Sequence, residues 1–163
     1  MRAAERFFKY VGVVLDLNVD LILFLQWNMV YVTRKVHFNG AHKLFNPNWT
    51  VEQNDAVFGK CANTNWHGHN FDMYVTVKGM PNPDTGFVMD LKKLKIILED
   101  KVVSKLDHKN FNLDVDFLKD VMPSIENIVM KIWEQIESEM PAGATLHCIK
   151  LYETENQYVE YYG

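Results

Sequence analysis

One short segment carries most of the chemistry in this chain: Cys61-Ala62-Asn63-Thr64-Asn65-Trp66-His67-Gly68-His69. Strand side chains alternate between faces, so two imidazoles separated by one residue point the same way. The glycine between them leaves room for another group to come close. Neutral imidazole is the commonest protein ligand for zinc, and a nearby thiol is suited to proton transfer. His42 ends an earlier alternating run and supplies a third imidazole. Three histidines with no obligatory fourth ligand suit a catalytic Zn2+ that keeps one position for substrate. Two plainer readings stand beside this one. The histidines could hold a structural metal with Cys61 closing the shell, or be ordinary surface and core residues.

The elements that must position these groups follow from periodicity. Val30, Val32, Val36 and Phe38 alternate with Tyr31, Thr33, Lys35 and His37, which predicts a strand over residues 30–42, with Arg34 breaking its apolar face. The same parity carries His42 to the side of Val36 and Phe38. A second strand is expected over residues 66–79, where Phe71, Met73, Val75 and Val77 share a face that His67 and His69 continue. Both strands thus present their histidines on the apolar face. Residues 43–65, with Asn46-Pro47-Asn48, Asn54-Asp55 and Gly59, are expected to form a long loop. Loops of that length inside a compact domain are usually functional.

Asp90 is expected to cap a helix running to about Leu106, with Leu91, Leu94, Leu98 and Val102 in one stripe. A second helix should run from Ser124 to about Ser138, since Ile125, Ile128, Val129, Ile132, Trp133 and Ile136 recur at three- and four-residue steps. Leu146–Glu153 and Tyr158–Tyr162 read as closing strands. The order ββααββ predicts an α+β fold: an antiparallel sheet with two helices on one face.

A chain of 163 residues holds one well-buried core. Its net charge of −4 argues against a general nucleic-acid binder, which is usually basic. An anionic substrate would need a local cluster of Lys and Arg to draw it in against that field. Two cysteines, Cys61 and Cys148, make no disulfide framework and favour a reducing, cytoplasmic setting. The apolar run Leu21–Leu25 is preceded by Asp16, Asn18 and Asp20, and falls short of the roughly 18 residues a membrane span requires. Nor do these residues read as a signal peptide. Met29 directly precedes the first predicted strand. The expectation is that translation starts there, making residues 1–28 a poorly ordered extension that need not be native, and residues 29–163 the functional domain. The intact mass of the protein made from its native locus decides this.

Five motifs in order resemble the 6-pyruvoyl-tetrahydropterin synthase family over roughly residues 30–163. They are Phe38-Asn39-Gly40-Ala41-His42; Cys61 with His67-Gly68-His69-Asn70; Leu106-Asp107-His108-Lys109-Asn110; Ser124-Ile125-Glu126-Asn127; and Leu151-Tyr152-Glu153-Thr154-Glu155-Asn156. The resemblance implies the tunnelling fold, whose ββααββ subunits form a trimeric barrel and pair into a homohexamer with active sites at subunit interfaces. It implies His42, His67 and His69 as zinc ligands, Cys61 as the catalytic thiol, and Asp107 with His108 as a second proton-transfer pair. Glu153 would grip the pterin ring, with Ser124 and Glu126 as further substrate-binding residues.

The implied reaction converts 7,8-dihydroneopterin triphosphate to 6-pyruvoyl-tetrahydropterin, losing triphosphate and needing no external redox cofactor. Arg34, Lys35, Lys43 and Lys60 are candidate partners for the triphosphate. The related 6-carboxy-tetrahydropterin synthases of queuosine biosynthesis use the same precursor but release acetaldehyde. The five residues between Cys61 and His67, and the context Tyr-Glu-Thr-Glu-Asn around Glu153, pull toward the pyruvoyl-forming type. Pro123-Ser124-Ile125-Glu126 pulls the other way, because the animal enzymes have a Ser/Thr run there. A folate-pathway branch has glutamate in place of the thiol, against which Cys61 argues. A zinc-stabilised pterin-binding protein without turnover is the alternative of a different class. Without the resemblance, Asp107-His108 reads as a loop ion pair, Glu153 as an edge residue facing water, and Glu126 as a first-turn helix acid.

Overall fold

The computed structural model describes residues 29–163, so the expectation for residues 1–28 lies outside the described part. Strand β1 (Val30–His42) pairs antiparallel with β2 (His67–Gly79), which pairs antiparallel with β4 (Ala144–Thr154), itself antiparallel to β5 (Gln157–Tyr161). The two-residue β3 (Lys109–Asn110) runs parallel to β1 on its outer side, giving the order β3-β1-β2-β4-β5. The α+β class holds, and the expected antiparallel sheet is corrected to a mixed one. Its parallel strand arises where the chain, leaving its helix, is turned alongside β1 by His108, whose φ is +60°.

The period of two has the expected consequence. Phe38, Phe71, Met73, Val75, Val77, Ile149 and Leu151 are buried on one sheet face. Against them pack α2 (Leu91–Leu98), which continues through a wider turn (Glu99–Val103) to Leu106, and α3 (Ile125–Ile136). Leu94, Leu98, Val102 and Leu106 form the buried stripe of the first, and Ile128, Ile132 and Ile136 that of the second. Asp90 caps α2 by accepting the Lys92 N–H at 2.8 Å, and Ser124 caps α3. The opposite sheet face is polar and aromatic, with Lys35 on Asp72 at 2.7 Å and Lys150 over the Tyr158 ring. Among the described residues, no helix is long and apolar enough to cross a membrane.

Residues 43–65 are not the irregular loop that their Asn and Gly content predicts. They contain α1 (Val51–Phe58) and a 3-10 turn (Gly59–Ala62). A reciprocal cap starts α1: the Thr50 hydroxyl accepts the Gln53 N–H at 3.2 Å, and the Gln53 side chain accepts the Thr50 N–H at 2.9 Å. Asn54, fully buried, then ties the segment together. Its carbonyl oxygen accepts the Asn46 N–H at 2.7 Å, while its amide donates to the carbonyls of Asn46 and Thr50.

Candidate active site

The β1–β2 register sets His42 directly opposite His67 and Gly40 opposite His69. Opposed side chains on one face of an antiparallel pair have Cβ atoms roughly 5 Å apart, and His69 is the next residue along that face. The three rings therefore converge, with centroids 4.5 Å (His42–His67), 5.3 Å (His42–His69) and 4.9 Å (His67–His69) apart. One nitrogen from each lies within 4.8 Å of the others, and Cys61 is not part of this cluster. Gly40 matters to the arrangement. A Cβ there would stand 2.2 Å from the Phe111 ring, which packs beneath the sheet beside His42.

His42 is 1% exposed, and its Nδ1 is 2.7 Å from the Pro123 carbonyl oxygen. A carbonyl only accepts, so Nδ1 carries the hydrogen and Nε2 is the nitrogen left to face a ligand. Such a second hydrogen bond is what orients a ligating imidazole. His42 Nε2, His67 Nδ1 and His69 Nε2 are all buried without a hydrogen-bond partner among the described residues. Leaving a buried polar atom unpaired costs about 1–3 kcal/mol. A single cation among three such nitrogens removes all three penalties, so the residues fit a metal, and an all-imidazole set suits Zn2+.

Burial foremost pushes the pKa values of His67 and His69 below the ordinary 6.5; Glu153 opposes the shift and a charge on His42 adds to it. Both are held neutral, ready to bind a cation. In the folded state they resist protonation that the unfolded chain accepts, so stability rises with pH in this window. Their contribution is complete above about pH 6.5 and is lost as pH falls through the lowered folded values. Metal-free protein should therefore melt at a lower temperature near about pH 5.5 than near about pH 7.5. Thermal denaturation in chelator at both values checks this, and a Tm that rises on acidification contradicts it.

Glu153 also faces the cluster. Ile149 and Leu151 on β4 are fully buried, and Glu153 continues their parity onto the same sheet face. β5 covers the outer side of β4, so Glu153 is not the water-facing edge residue it would be by default: it is largely buried, with 18% of its side chain exposed. Its Oε1 is 3.3 Å from His42 Nε2 and 3.5 Å from His69 Nε2. The contact with His42, foremost, holds the carboxyl below its usual pKa, against the effect of burial.

Asp107 and His108 are fastened to β1. Asp107 Oδ1 accepts the Asn39 N–H at 2.9 Å, Oδ2 lies 2.8 Å from His108 Nδ1, and the His108 N–H donates to the Asn39 carbonyl at 2.8 Å. The Asn39 N–H, then His108, keep the Asp107 carboxyl below its ordinary pKa. The left-handed backbone of His108 is uncommon for a residue with a Cβ and marks a strained position.

Two openings meet at His69. One, about 630 Å³, is lined by Asn39, His69, His108, Lys109 and Asp114 among others. The other, about 670 Å³, has His69, Tyr74, Tyr152, Glu153 and Glu155 in its wall. The 6-pyruvoyl tetrahydropterin synthase family profile matches residues 31–163.

This chain belongs to that family. The 6-pyruvoyl tetrahydrobiopterin synthase of Homo sapiens is 41% identical over 132 residues, spanning 81% of this chain and 90% of the relative. That of Dictyostelium discoideum is 39% identical over 134 residues, spanning 82% and 96%. The solved 6-pyruvoyl tetrahydropterin synthase of Caenorhabditis elegans superposes with a TM-score of 0.77 at 33% identity, covering 83% of this chain and 96% of that one.

Within this synthase fold, one protomer brings together His42, His67, His69 and Glu153, and places His108, held by Asp107, at the adjoining opening. Cys61, half-buried in the 3-10 turn, lines neither opening. Its carbonyl accepts the Leu44 N–H at 2.9 Å, which folds the segment back to within two residues of His42. Ser124 Oγ accepts the Asn127 N–H at 3.4 Å as a helix cap, and Glu126 sits in the same first turn. Of the cations named from sequence, Lys35 is paired with Asp72, while Lys43 and Lys60 share a third opening. Arg34 buries an Nε that has no partner among the described residues. Lys109, in the wall with His69 and His108, was missed, although it lies inside the Asp107-His108 motif. The Pro123 carbonyl was missed too, because no sequence signal marks a backbone acceptor.

Proposed function

We propose that this chain is a Zn2+-dependent lyase converting 7,8-dihydroneopterin triphosphate to 6-pyruvoyl-tetrahydropterin with release of triphosphate. The observation that carries this reading is the trio of imidazole nitrogens without partners among the described residues, at an opening that His69 shares with His108, in a chain of this family. His42, His67 and His69 would hold the metal. When bound, zinc supplies Lewis-acid polarisation of the substrate's side-chain oxygens, which makes the adjoining C–H protons easier to remove.

The protein's own groups do the rest. His108, held by Asp107, exchanges a proton at the opening it shares with His69, and Cys61 exchanges the other through Sγ. Glu153 accepts hydrogen bonds from the pterin amino group and neighbouring ring N–H, fixing the ring's orientation. Ser124 and Glu126 border the pterin from the start of α3. Lys109 is well placed to meet the triphosphate.

The breadth of both openings and the position of Cys61 outside them support completion of each site by neighbouring protomers in a homohexamer of two trimeric barrels. Residues 29–163 form the synthase domain, and two unpaired cysteines support a cytoplasmic setting. Incubating the zinc-loaded protein with dihydroneopterin triphosphate and weighing the products is the test. Pyruvoyl product is expected. Acetaldehyde would instead assign the 6-carboxy reaction, which the Pro123-Ser124 departure favours, and metal-bound protein without turnover would reject the lyase reading.

A further inference from the structure

His42 Nε2 and Glu153 Oε1 face each other at 3.3 Å in the buried half of the site, without hydrogen-bond geometry. The His42 Nδ1 hydrogen is committed to the Pro123 carbonyl, which leaves Nε2 as the ring nitrogen that faces the carboxylate. His69 Nε2, also unpartnered, stands 3.5 Å from the same oxygen. With the rings neutral, as ligation requires, such atoms repel each other unless a cation lies between them. With zinc bonds of about 2.0–2.1 Å, neighbouring ligand atoms of a tetrahedron are separated by about 3.3–3.5 Å. The distances from Glu153 Oε1 to His42 Nε2 and His69 Nε2 have that length, although Glu153 lies outside the close cluster that joins all three imidazoles.

We propose that Glu153 is the resting-state fourth ligand of this centre. Without substrate, its carboxylate fills the vertex that His42, His67 and His69 leave. An incoming substrate oxygen displaces it, and the released carboxylate turns to the N–H groups of the pterin ring. This rests on the metal reading of the three histidines made above. Ligand exchange would thereby couple arrival of the ring to opening of the metal, so that the polarising charge is presented only when substrate is there to receive it.

The test uses full-length protein loaded with Zn2+ or Co2+ and free of substrate. Zinc affinity is measured by chelator competition, and azide, a small anion that seeks an open vertex, is titrated into the cobalt protein by visible absorbance. Glu153→Gln is expected to weaken zinc at least about tenfold and to bind azide at least about tenfold more tightly, in the range seen when groups around a metal are altered. Glu153→Asp, whose carboxylate is one methylene further back, should gain azide affinity as well. Glu134→Gln, which removes the same charge from the exposed face of α3, where Glu134 meets Lys131, should change neither by more than about twofold. Zinc and azide affinities of Glu153→Gln equal to those of the parent protein would overturn the proposal. Parent protein that binds no stoichiometric metal would instead defeat the metal reading on which it rests.

Discussion

His42→Ala is expected to abolish stoichiometric zinc binding, weakening affinity by about a hundredfold to a thousandfold, in proportion to one ligand's share of a total near 10–16 kcal/mol. His42 is the most consequential of the three histidines because it alone is fully buried, and its ring is fixed by the Pro123 carbonyl at 2.7 Å. A preoriented donor loses little freedom on coordination, so removing it forfeits more than removing a mobile one. The substitution also opens space beside Phe71 and Phe111, whose rings stand 6.1 Å from the imidazole. Some loss of stability will accompany the loss of metal, and metal content after dialysis must be read beside a melting curve. His147→Ala is the matched control. His147 lies between the Tyr31 and Tyr162 rings, away from the cluster, and its loss should leave zinc content untouched. Full zinc occupancy at unchanged affinity in His42→Ala would show that the cluster is not the metal centre.

How far this site could be read in advance depends on which physical signal each residue carried. Strand parity put His42 with Phe38, and His67 and His69 with Phe71, and an antiparallel register then brings three imidazoles together. The same parity through Ile149 and Leu151 pointed Glu153 inward, but the strand's place in the sheet was not legible. Glu153 by itself reads as an edge residue, but β5 covers β4, so the inward face is a real interior. Thr50 and Gln53 carried a legible capping pair, outweighed in the reading by surrounding Asn and Gly. Asn54 carried nothing, because its partners are backbone groups of a segment whose conformation it helps create. The short parallel β3 was equally hidden: two residues show no periodicity, and its pairing follows from the left-handed turn at His108. Local patterns reported faces; only the assembled sheet reported neighbours.

Cys61→Ala is expected to lower kcat by about two to four orders of magnitude, the usual worth of a proton-transfer group, with little change in KM or zinc content. The separation of these readouts is the point of the experiment. Cys61 lies outside the nitrogen cluster, so a thiol that acts on substrate and one that closes the metal shell predict opposite outcomes. In the first case zinc affinity is preserved and turnover collapses; in the second, affinity falls together with turnover. The 3-10 turn makes the substitution structurally mild. The backbone carbonyl of residue 61, which accepts the Leu44 N–H, is retained, and alanine fits a half-buried position without a new polar group. A fall in kcat can then be assigned to Sγ rather than to a displaced segment, and Asp107→Asn provides an independent comparison on the other proton-transfer group. If each variant alone removes most of the turnover and the pair removes scarcely more, thiol and imidazole act as one unit across the substrate. Unchanged turnover in Cys61→Ala would leave the thiol without a part in the chemistry.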